Sequence, residues 1–249
     1  MAARDSAADK ALLPLEIQNT YRERYRALHP GWRSSGERFD ALVQSYLTPR
    51  TNVMDLGCGR GGAIELFWRD VNLAAGLDPD AASLLEHRAP GISLVRGRAE
   101  ELPFTDGSFD LVVCVWVLEH LRDPATVLRG VRRALRPGGH FIFLTPNLRH
   151  PLLMLNRLGT SWPALQRRLV TRLYGRFEAD TFRVRYRANT ARSLRALAAR
   201  CGLEVAQLTV VPDPTYLAFN GLMFRASVMS ERLLPRGWGV HLLGDLQRA

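Results

Sequence analysis

The sequence has few of the features that mark disulfide-bonded, zinc-binding, membrane or secreted proteins. It has three cysteines in 249 residues (Cys58, Cys114 and Cys201), and no two of them have CxxC spacing. A disulfide framework and a zinc ribbon are therefore poorly supported. No apolar run reaches the roughly 18 residues that a transmembrane helix needs. The polar N-terminus lacks the apolar stretch of a signal peptide. We therefore expect a soluble, cytoplasmic protein.

Lysine is almost absent, and the basic charge is carried by arginine. The formal net charge is +10, while residues 149–200 hold 12 arginines and only two acids, Glu178 and Asp180. The remaining sequence has equal numbers of basic and acidic residues, so the whole excess lies in one segment. Because 47% of the residues are hydrophobic, the chain has enough apolar side chains for a full core.

Short apolar runs alternate with segments of helical length after residue 50. The runs are Val53–Leu56, Leu73–Leu77, Ile92–Val95, Phe109–Val117 and His140–Thr145. Near-continuous hydrophobicity is typical of strands that are covered on both faces. Strands that alternate with helices favour βαβ units and a parallel sheet. Between the last two runs, Asp123 and Pro124 begin a predicted helix, and Pro137-Gly138-Gly139 is predicted to end it in a turn.

The sharpest motif is VMDLGCGRGG at residues 53–62, between a predicted strand and a predicted helix. Glycines allow a tight turn and a close approach of a ligand to the main chain. Asp78 ends the next strand, where a carboxylate can accept hydrogen bonds from a ribose diol. The glycines also satisfy GxGxxG, so a dinucleotide is an alternative ligand. Asp55 argues against it, because its charge would repel a pyrophosphate, whereas it suits the cationic S-adenosylmethionine.

Five motifs in order carry a family resemblance. They are DLGCGRGG (55–62), GLDPD (76–80), GRAEELPFTDGSFDLVVC (97–114), VLEHLRDP (117–124) and LRPGGHFIFLTPN (135–147). Together they resemble class I S-adenosylmethionine-dependent methyltransferases, in particular the small-molecule subgroup of ubiquinone and menaquinone biosynthesis. The resemblance implies an α/β fold with a doubly wound, mostly parallel, seven-stranded Rossmann-like sheet and helical insertions.

The resemblance also implies a division of the chain and a set of cofactor residues. The segments are an N-terminal helical lid (1–48), the cofactor-binding core (49–148), a basic helical acceptor cap (149–188) and the C-terminal part of the core (189–249) with an insertion (213–235). The residues implied to contact S-adenosylmethionine are Asp55, Gly57, Cys58, Gly59, Asp78, Pro79, Ala99, Glu100, Val115 and Trp116. Arg98 departs from the pattern, because many relatives have an aspartate there and arginine cannot accept a hydrogen bond.

The Glu119-His120 pair follows the fourth predicted strand, where an acceptor would meet the methyl group. Histidine is the natural general base near neutral pH, so His120 is the candidate catalytic residue. Local packing at the start of a helix is the alternative interpretation. Glu119, His150 and Tyr25 are candidate acceptor contacts. A metal assists some quinone-type relatives, but Glu119 and His120 alone do not make a site, and we predict no metal.

The arginine-rich insertion bears on the partner. It could bind an acidic small molecule, lie on an anionic membrane surface, contact nucleic acid or simply be a solvated face. Nucleic acid is disfavoured, because Thr145-Pro146-Asn147-Leu148 is not the tetrapeptide of base-amine methyltransferases. We therefore expect a transferase that methylates oxygen or carbon of a small or lipid-like acceptor, as a monomer or homodimer. A non-catalytic cofactor-binding module and a nicotinamide-dependent oxidoreductase remain the alternatives.

Overall fold

The computed structural model describes residues 17–151, 153–154, 157, 184–216, 218 and 220–249. These residues contain seven strands in one sheet. The strands are β1 (Asn52–Leu56), β2 (Leu73–Asp78), β3 (Ser93–Arg96), β4 (Phe109–Val115), β5 (Leu135–Pro146), β6 (Leu203–Val211) and β7 (His241–Arg248). The described helices are α1 (17–28), α2 (Ser35–Gln44), α3 (Ala81–Leu85), α4 (Pro124–Ala134), α5 (Ala191–Arg200) and α6 (Gly221–Leu233), with short 3-10 turns at Ala63–Leu66 and Arg236–Trp238. None of these helices is long and apolar enough to cross a membrane.

The sheet has the strand order β3-β2-β1-β4-β5-β7-β6. The pairs β1–β2, β1–β4, β2–β3 and β4–β5 are parallel, whereas β7 runs antiparallel to β5. This arrangement confirms the predicted mostly parallel, seven-stranded sheet. The order reverses between β1 and β4, and in open α/β sheets a ligand binds beyond the carboxyl ends of the strands at such a reversal.

Apolar side chains cover the sheet where helices pack on it. The buried core joins Val127, Leu128 and Val131 of α4 and Leu194 and Ala198 of α5 to the central strands. Helix α2 packs against β5 and β7 through its own buried residues, Phe39 and Val43. Asp123 caps α4 by accepting hydrogen bonds from the N–H groups of Ala125 and Thr126, as the sequence predicts.

Two local predictions were wrong. The glycine loop was expected to open a helix, but only a single 3-10 turn, Ala63–Leu66, follows it. The ten residues between Gly62 and Leu73, where β2 begins, hold this 3-10 turn followed by turns and bends. The Pro137-Gly138-Gly139 turn lies inside β5, which begins at Leu135, and Gly138 has a φ of 77°. The pairing of β4 with β5 shifts register at this point.

The chain divides into two compact units. One comprises 1–34, 148–183 and 211–240, and the other comprises 35–147, 184–210 and 241–249 and contains nearly all of the sheet. In the first unit, α1 and α6 are joined by a stack of Tyr21 on Phe224, with ring centroids 4.8 Å apart. Most of the arginine-rich segment 149–188, including 158–183, lies outside the described residues. The four-segment division drawn from the sequence stays a prediction.

Candidate active site

The glycine loop is folded tightly over the ends of β1 and β2. Gly57 has a φ of 84°, and its N–H donates a hydrogen bond of 2.7 Å to the Leu77 carbonyl. A Cβ atom at Gly57 would overlap Val117 Cγ2, so the position excludes any larger residue. Gly59 also has a positive φ, 50°, but a Cβ built there meets no heavy atom within 4 Å. The loop therefore presents an open main-chain surface beyond β1.

Asp78, the last residue of β2, is tied to this loop. Its Oδ2 accepts a hydrogen bond from the Gly59 N–H at 3.0 Å, and its Oδ1 accepts one from the Asp80 N–H at 2.8 Å. The side chain is buried, so these bonds fix its orientation. A carboxylate has about four lone-pair sites, and two donors leave acceptor capacity on both oxygens. Asp78 can therefore accept further hydrogen bonds from the two hydroxyls of a ribose.

Asp55 lies in β1 and is buried. Its Oδ2 has no hydrogen-bond partner among the described residues. Burial raises the pKa of Asp55 to about 7, the Asp78 and Glu65 carboxylates add to the rise, and the Ile64 N–H opposes it. A buried carboxylate oxygen without a donor is costly unless a ligand supplies one. Its charge and position suit an ammonium group.

The remaining predicted cofactor residues lie at the same edge of the sheet. Cys58 is buried, and burial raises the pKa of its thiol to about 12. The thiol is therefore protonated and unreactive at neutral pH. Pro79 follows β2 directly, and its carbonyl accepts a hydrogen bond from Arg96 Nε. Ala99 and Glu100 form the turn beyond β3, where Arg98 and Glu100 make an ion pair of 3.6 Å. Arg98 thus points its charge at a neighbouring carboxylate.

Trp116 directly follows Val115, the last residue of β4, and has a left-handed backbone. Its φ is 58°, which is rare for a bulky residue and is typical of strained functional sites. The Trp116 N–H donates to the Leu144 carbonyl at 3.0 Å, which holds this conformation. Its ring meets the His241 ring edge-on, with centroids 4.8 Å apart. No sequence pattern predicts a role for His241, which the sheet brings to this edge as the first residue of β7.

Glu119 is the centre of a buried polar network. Its Oε2 accepts a hydrogen bond of 3.1 Å from Thr145 Oγ1, which itself accepts one of 2.7 Å from Asn189 Nδ2. Glu119 Oε1 lies 3.9 Å from His120 Nε2, and the His120 side chain is partly exposed. The Glu119 carbonyl also accepts hydrogen bonds from the N–H groups of Arg185 and Tyr186. The network fixes Glu119 beside the His120 imidazole, shortly after the end of β4.

Sequence reasoning missed Thr145, Tyr186 and Asn189. Thr145 lies in the predicted strand and Asn189 in the turn before α5, so each has an ordinary structural interpretation. Their burial is set by the pairing of distant segments, and the local signal for a helix start belongs to Thr190, the N-cap of α5, and not to Asn189. Tyr186 has a φ of 52° and a buried ring, features that residue type does not reveal.

Two predicted acceptor residues belong to the first unit. His150 is buried, and burial lowers the pKa of its imidazole, so it is neutral at pH 7. Tyr25 packs against His29 and Trp32, with ring centroids 4.3 and 5.0 Å away. Burial, with Glu231 nearby, raises the pKa of Tyr25. Their roles as acceptor contacts stay predictions.

The described residues contain no group of three or more histidine, cysteine or acidic side chains placed to hold a metal ion. That the protein uses no metal ion stays a prediction.

The strand order, the antiparallel β7 and the glycine loop define the fold of class I methyltransferases. Residues 54–143 match a family model described as a methyltransferase domain. A phthiotriol/phenolphthiotriol dimycocerosates methyltransferase of Mycobacterium tuberculosis is 40% identical over 103 residues, 38% of this chain and 38% of the relative. A ubiquinone biosynthesis O-methyltransferase of Sodalis glossinidius is 37% identical over 106 residues, 39% of this chain and 41% of the relative.

The chain thus spans about two fifths of the length of these curated relatives. Among solved structures, geranyl diphosphate C-methyltransferase from Streptomyces coelicolor superposes with a TM-score of 0.61 and 16% identity, over 84% of this chain and 79% of that chain. At this identity the likeness concerns the fold. That enzyme was crystallised with S-adenosyl-L-homocysteine, the product that remains when S-adenosylmethionine has lost its methyl group.

Proposed function

We propose that the protein transfers a methyl group from S-adenosylmethionine to a small or lipid-like acceptor, at oxygen or carbon. The observation that carries the proposal is the pair of buried carboxylates beside the glycine loop. Asp55 offers an unpartnered oxygen for an ammonium, and Asp78 offers acceptors for a ribose diol. A pyrophosphate beside Asp55 would be repelled, which argues against the nicotinamide-dependent alternative.

The proposed site assigns separate tasks to separate residues. Asp55 binds the amino group, Asp78 binds the ribose hydroxyls, and the turn at Ala99 and Glu100 borders the adenine. Gly57, Cys58 and Gly59 line the methionine part, while Val115 and Trp116 close the side nearest the acceptor. When bound, the cofactor supplies a methyl group on a sulfonium, which is already an excellent leaving group. Alignment of the acceptor and exclusion of water can then supply most of the rate gain.

The remaining task is removal of a proton from the acceptor. An oxygen acceptor and many carbon acceptors must lose one, and His120 is our candidate base. Glu119 lies 3.9 Å from the His120 ring and stabilises the imidazolium that forms when the proton is taken up. Glu119 is itself held by Thr145, so it acts as a positioning residue for His120.

The names of the relatives support the acceptor class. They refer to phthiotriol, ubiquinone biosynthesis and geranyl diphosphate, and two of them specify methylation at oxygen and at carbon. We assign no single acceptor or acceptor atom. The cytoplasmic location, the low affinity for nucleic acid and the monomeric or dimeric state remain predictions.

Calorimetry separates the competing functions. The proposal predicts binding of S-adenosylhomocysteine and no binding of NAD, and the reverse result would make the protein a nicotinamide-dependent oxidoreductase. Incubation with methyl-labelled S-adenosylmethionine and host extract should then yield a labelled small molecule or lipid. Cofactor binding with no labelled product in any extract fraction would favour the non-catalytic module.

A further inference from the structure

Helix α6 has an inverted distribution of side chains. Leu222, Met229 and Leu233 lie within 40° of one another around the helix axis, given 100° per residue. They are 80%, 64% and 79% exposed. On the opposite side of the helix, Phe224 is buried against Tyr21. Three large apolar side chains of this helix therefore face solvent, although a helix of a globular protein normally turns its apolar stripe inward.

Helix α1 extends this surface. Leu28 is 67% exposed and lies one turn from Arg24. The two helices border one groove, whose lining includes Arg24, Leu28, Leu222, Arg225, Met229 and Arg232. We call this surface the α1/α6 face. It contains four of the most exposed large apolar residues in the described part of the chain.

The charge of the α1/α6 face has one sign. Arg24, Arg225 and Arg232 line it, no acidic residue does, and none of the three makes an ion pair with another described residue. Arg225 and Arg232 are seven residues apart and form a stripe beside the exposed leucines. Glu231 is only half-exposed and lies on the side of the helix opposite Leu222. The acidic side chain of α6 is thus turned away from the face.

We propose that the α1/α6 face docks on the surface of an anionic lipid bilayer. Leu28, Leu222, Met229 and Leu233 enter the boundary between head groups and acyl chains, while Arg24, Arg225 and Arg232 contact the lipid phosphates. Protruding apolar side chains flanked by arginine are the composition of helices that lie in a membrane interface. A neutral protein partner would match the leucines but leave three arginines without counter-charges. The proposal goes beyond the proposed reaction and does not depend on it.

Vesicle flotation of the full chain tests the proposal. The probes are phosphatidylcholine vesicles and vesicles that also contain about one third phosphatidylglycerol, at low and high salt. The wild-type protein should float with the anionic vesicles, less so at high salt, and stay unbound with the neutral ones. Because any protein with a charge of +10 is attracted to anionic vesicles, only the contrast between matched variants identifies the face.

Two pairs of variants supply that contrast. Arg225→Gln/Arg232→Gln should weaken binding by about 30-fold, the equivalent of about 1 kcal/mol per arginine. The charge-matched control Arg192→Gln/Arg195→Gln, on the exposed surface of α5, should weaken it less than about threefold. Leu222→Ser/Leu233→Ser should weaken binding at least about tenfold. Leu85→Ser, at a leucine of α3 that is 89% exposed, is the control.

Equal vesicle binding by each variant and its control would overturn the proposal. So would binding of the wild type that does not depend on anionic lipid. Gel filtration of the same proteins tests the competing occupant. If the wild type is a dimer that Leu222→Ser/Leu233→Ser separates, and vesicle binding is unchanged, then the α1/α6 face joins two copies of the chain and the lipid proposal is wrong.

Discussion

Asp78 Oδ2 accepts a hydrogen bond from the Gly59 N–H across 3.0 Å, which ties the carboxylate at the end of β2 to the glycine loop after β1. One side chain thus orders the loop and keeps acceptor capacity for a ligand. Any substitution of Asp78 changes both properties, and experiments on this residue must separate them.

Asp78→Ala should weaken binding of S-adenosylhomocysteine by about 10- to 150-fold, because charge-assisted hydrogen bonds contribute about 1.5–3 kcal/mol. Calorimetry measures the loss directly. Asp78→Asn retains one carbonyl oxygen for the Gly59 N–H and should fall between the wild type and the alanine variant. A dissociation constant unchanged in Asp78→Ala would remove this residue from the ribose site.

Cofactor affinity should depend on the ionisation of Asp55, whose pKa is raised to about 7. Below that pH the carboxyl is protonated and cannot pair with an ammonium. As the pH is raised towards 7, cofactor affinity should therefore increase by up to about tenfold per pH unit, and it should level off above pH 7. Asp55→Asn should bind weakly at every pH. A wild-type titration as flat as that of Asp55→Asn would contradict the assignment.

The same carboxyl should limit the stability of the ligand-free protein at high pH. A folded pKa of about 7, against 3.8 for an ordinary aspartate, means that the folded state binds more protons between these two pH values. Stability is therefore fully present below pH 3.8 and is lost as pH rises towards 7. At pH 8, Asp55→Asn should be more stable than the wild type by about 2–4 kcal/mol in chemical unfolding. The exposed Asp70→Asn should show no such gap.

Gly57→Ala should abolish tight cofactor binding. The new methyl group would overlap Val117, and the φ of 84° is unfavourable for alanine, so unfolding stability should fall by about 1–3 kcal/mol. Gly36→Ala is the matched control, because a Cβ there meets nothing within 4 Å and α2 tolerates alanine. Chemical unfolding and calorimetry on both variants distinguish strain in the loop from a general cost of replacing glycine.

His120→Ala should slow turnover by about 10²- to 10⁴-fold once an acceptor is known, with cofactor affinity unchanged. His87→Ala, outside the proposed site, serves as the control. A loss of less than threefold in His120→Ala would show that another group, or water, takes the proton.

The buried network predicts a separate effect on folding. Asn189→Ala removes the donor to Thr145 Oγ1 and to the Pro146 carbonyl, and should destabilise the protein by about 1–3 kcal/mol. Asn72→Ala removes an exposed hydrogen bond of similar length, to Asn52 Oδ1, and should cost well under half of that. Equal losses in the two variants would mean that the network contributes no more than a surface contact.

The sequence predicted those parts of the fold that local patterns determine. Near-continuous apolar runs located β1 to β5 to within a few residues, and Asp123 and Pro124 located the start of α4. The helix expected after Gly62 is replaced by the 3-10 turn Ala63–Leu66, and no local pattern of the sequence distinguishes the two. Pro137-Gly138-Gly139 was interpreted as a turn, although an irregular strand pairing uses the same residues.

The site was predictable where it lies in one motif and not where it joins distant ones. Asp55 and Asp78 follow from strand ends and glycine spacing, and the structure brings both to the edge of the sheet beside Gly59. The link from Asn189 through Thr145 to Glu119 joins three segments that meet only after the sheet has formed. The left-handed backbone of Trp116 depends on the hydrogen bond from its N–H to the Leu144 carbonyl. The residue types at these two positions do not predict that bond.

The position of β7 has a consequence for biosynthesis. This strand lies between β5 and β6 in the sheet, yet it is formed by residues 241–248, which leave the ribosome after both neighbours. Until then, the edge of β5 that later pairs with β7 is an open template for other chains. The sheet therefore stays incomplete until β7 emerges, and the nascent protein should be most prone to aggregation, or most dependent on chaperones, between the emergence of β6 and that of β7.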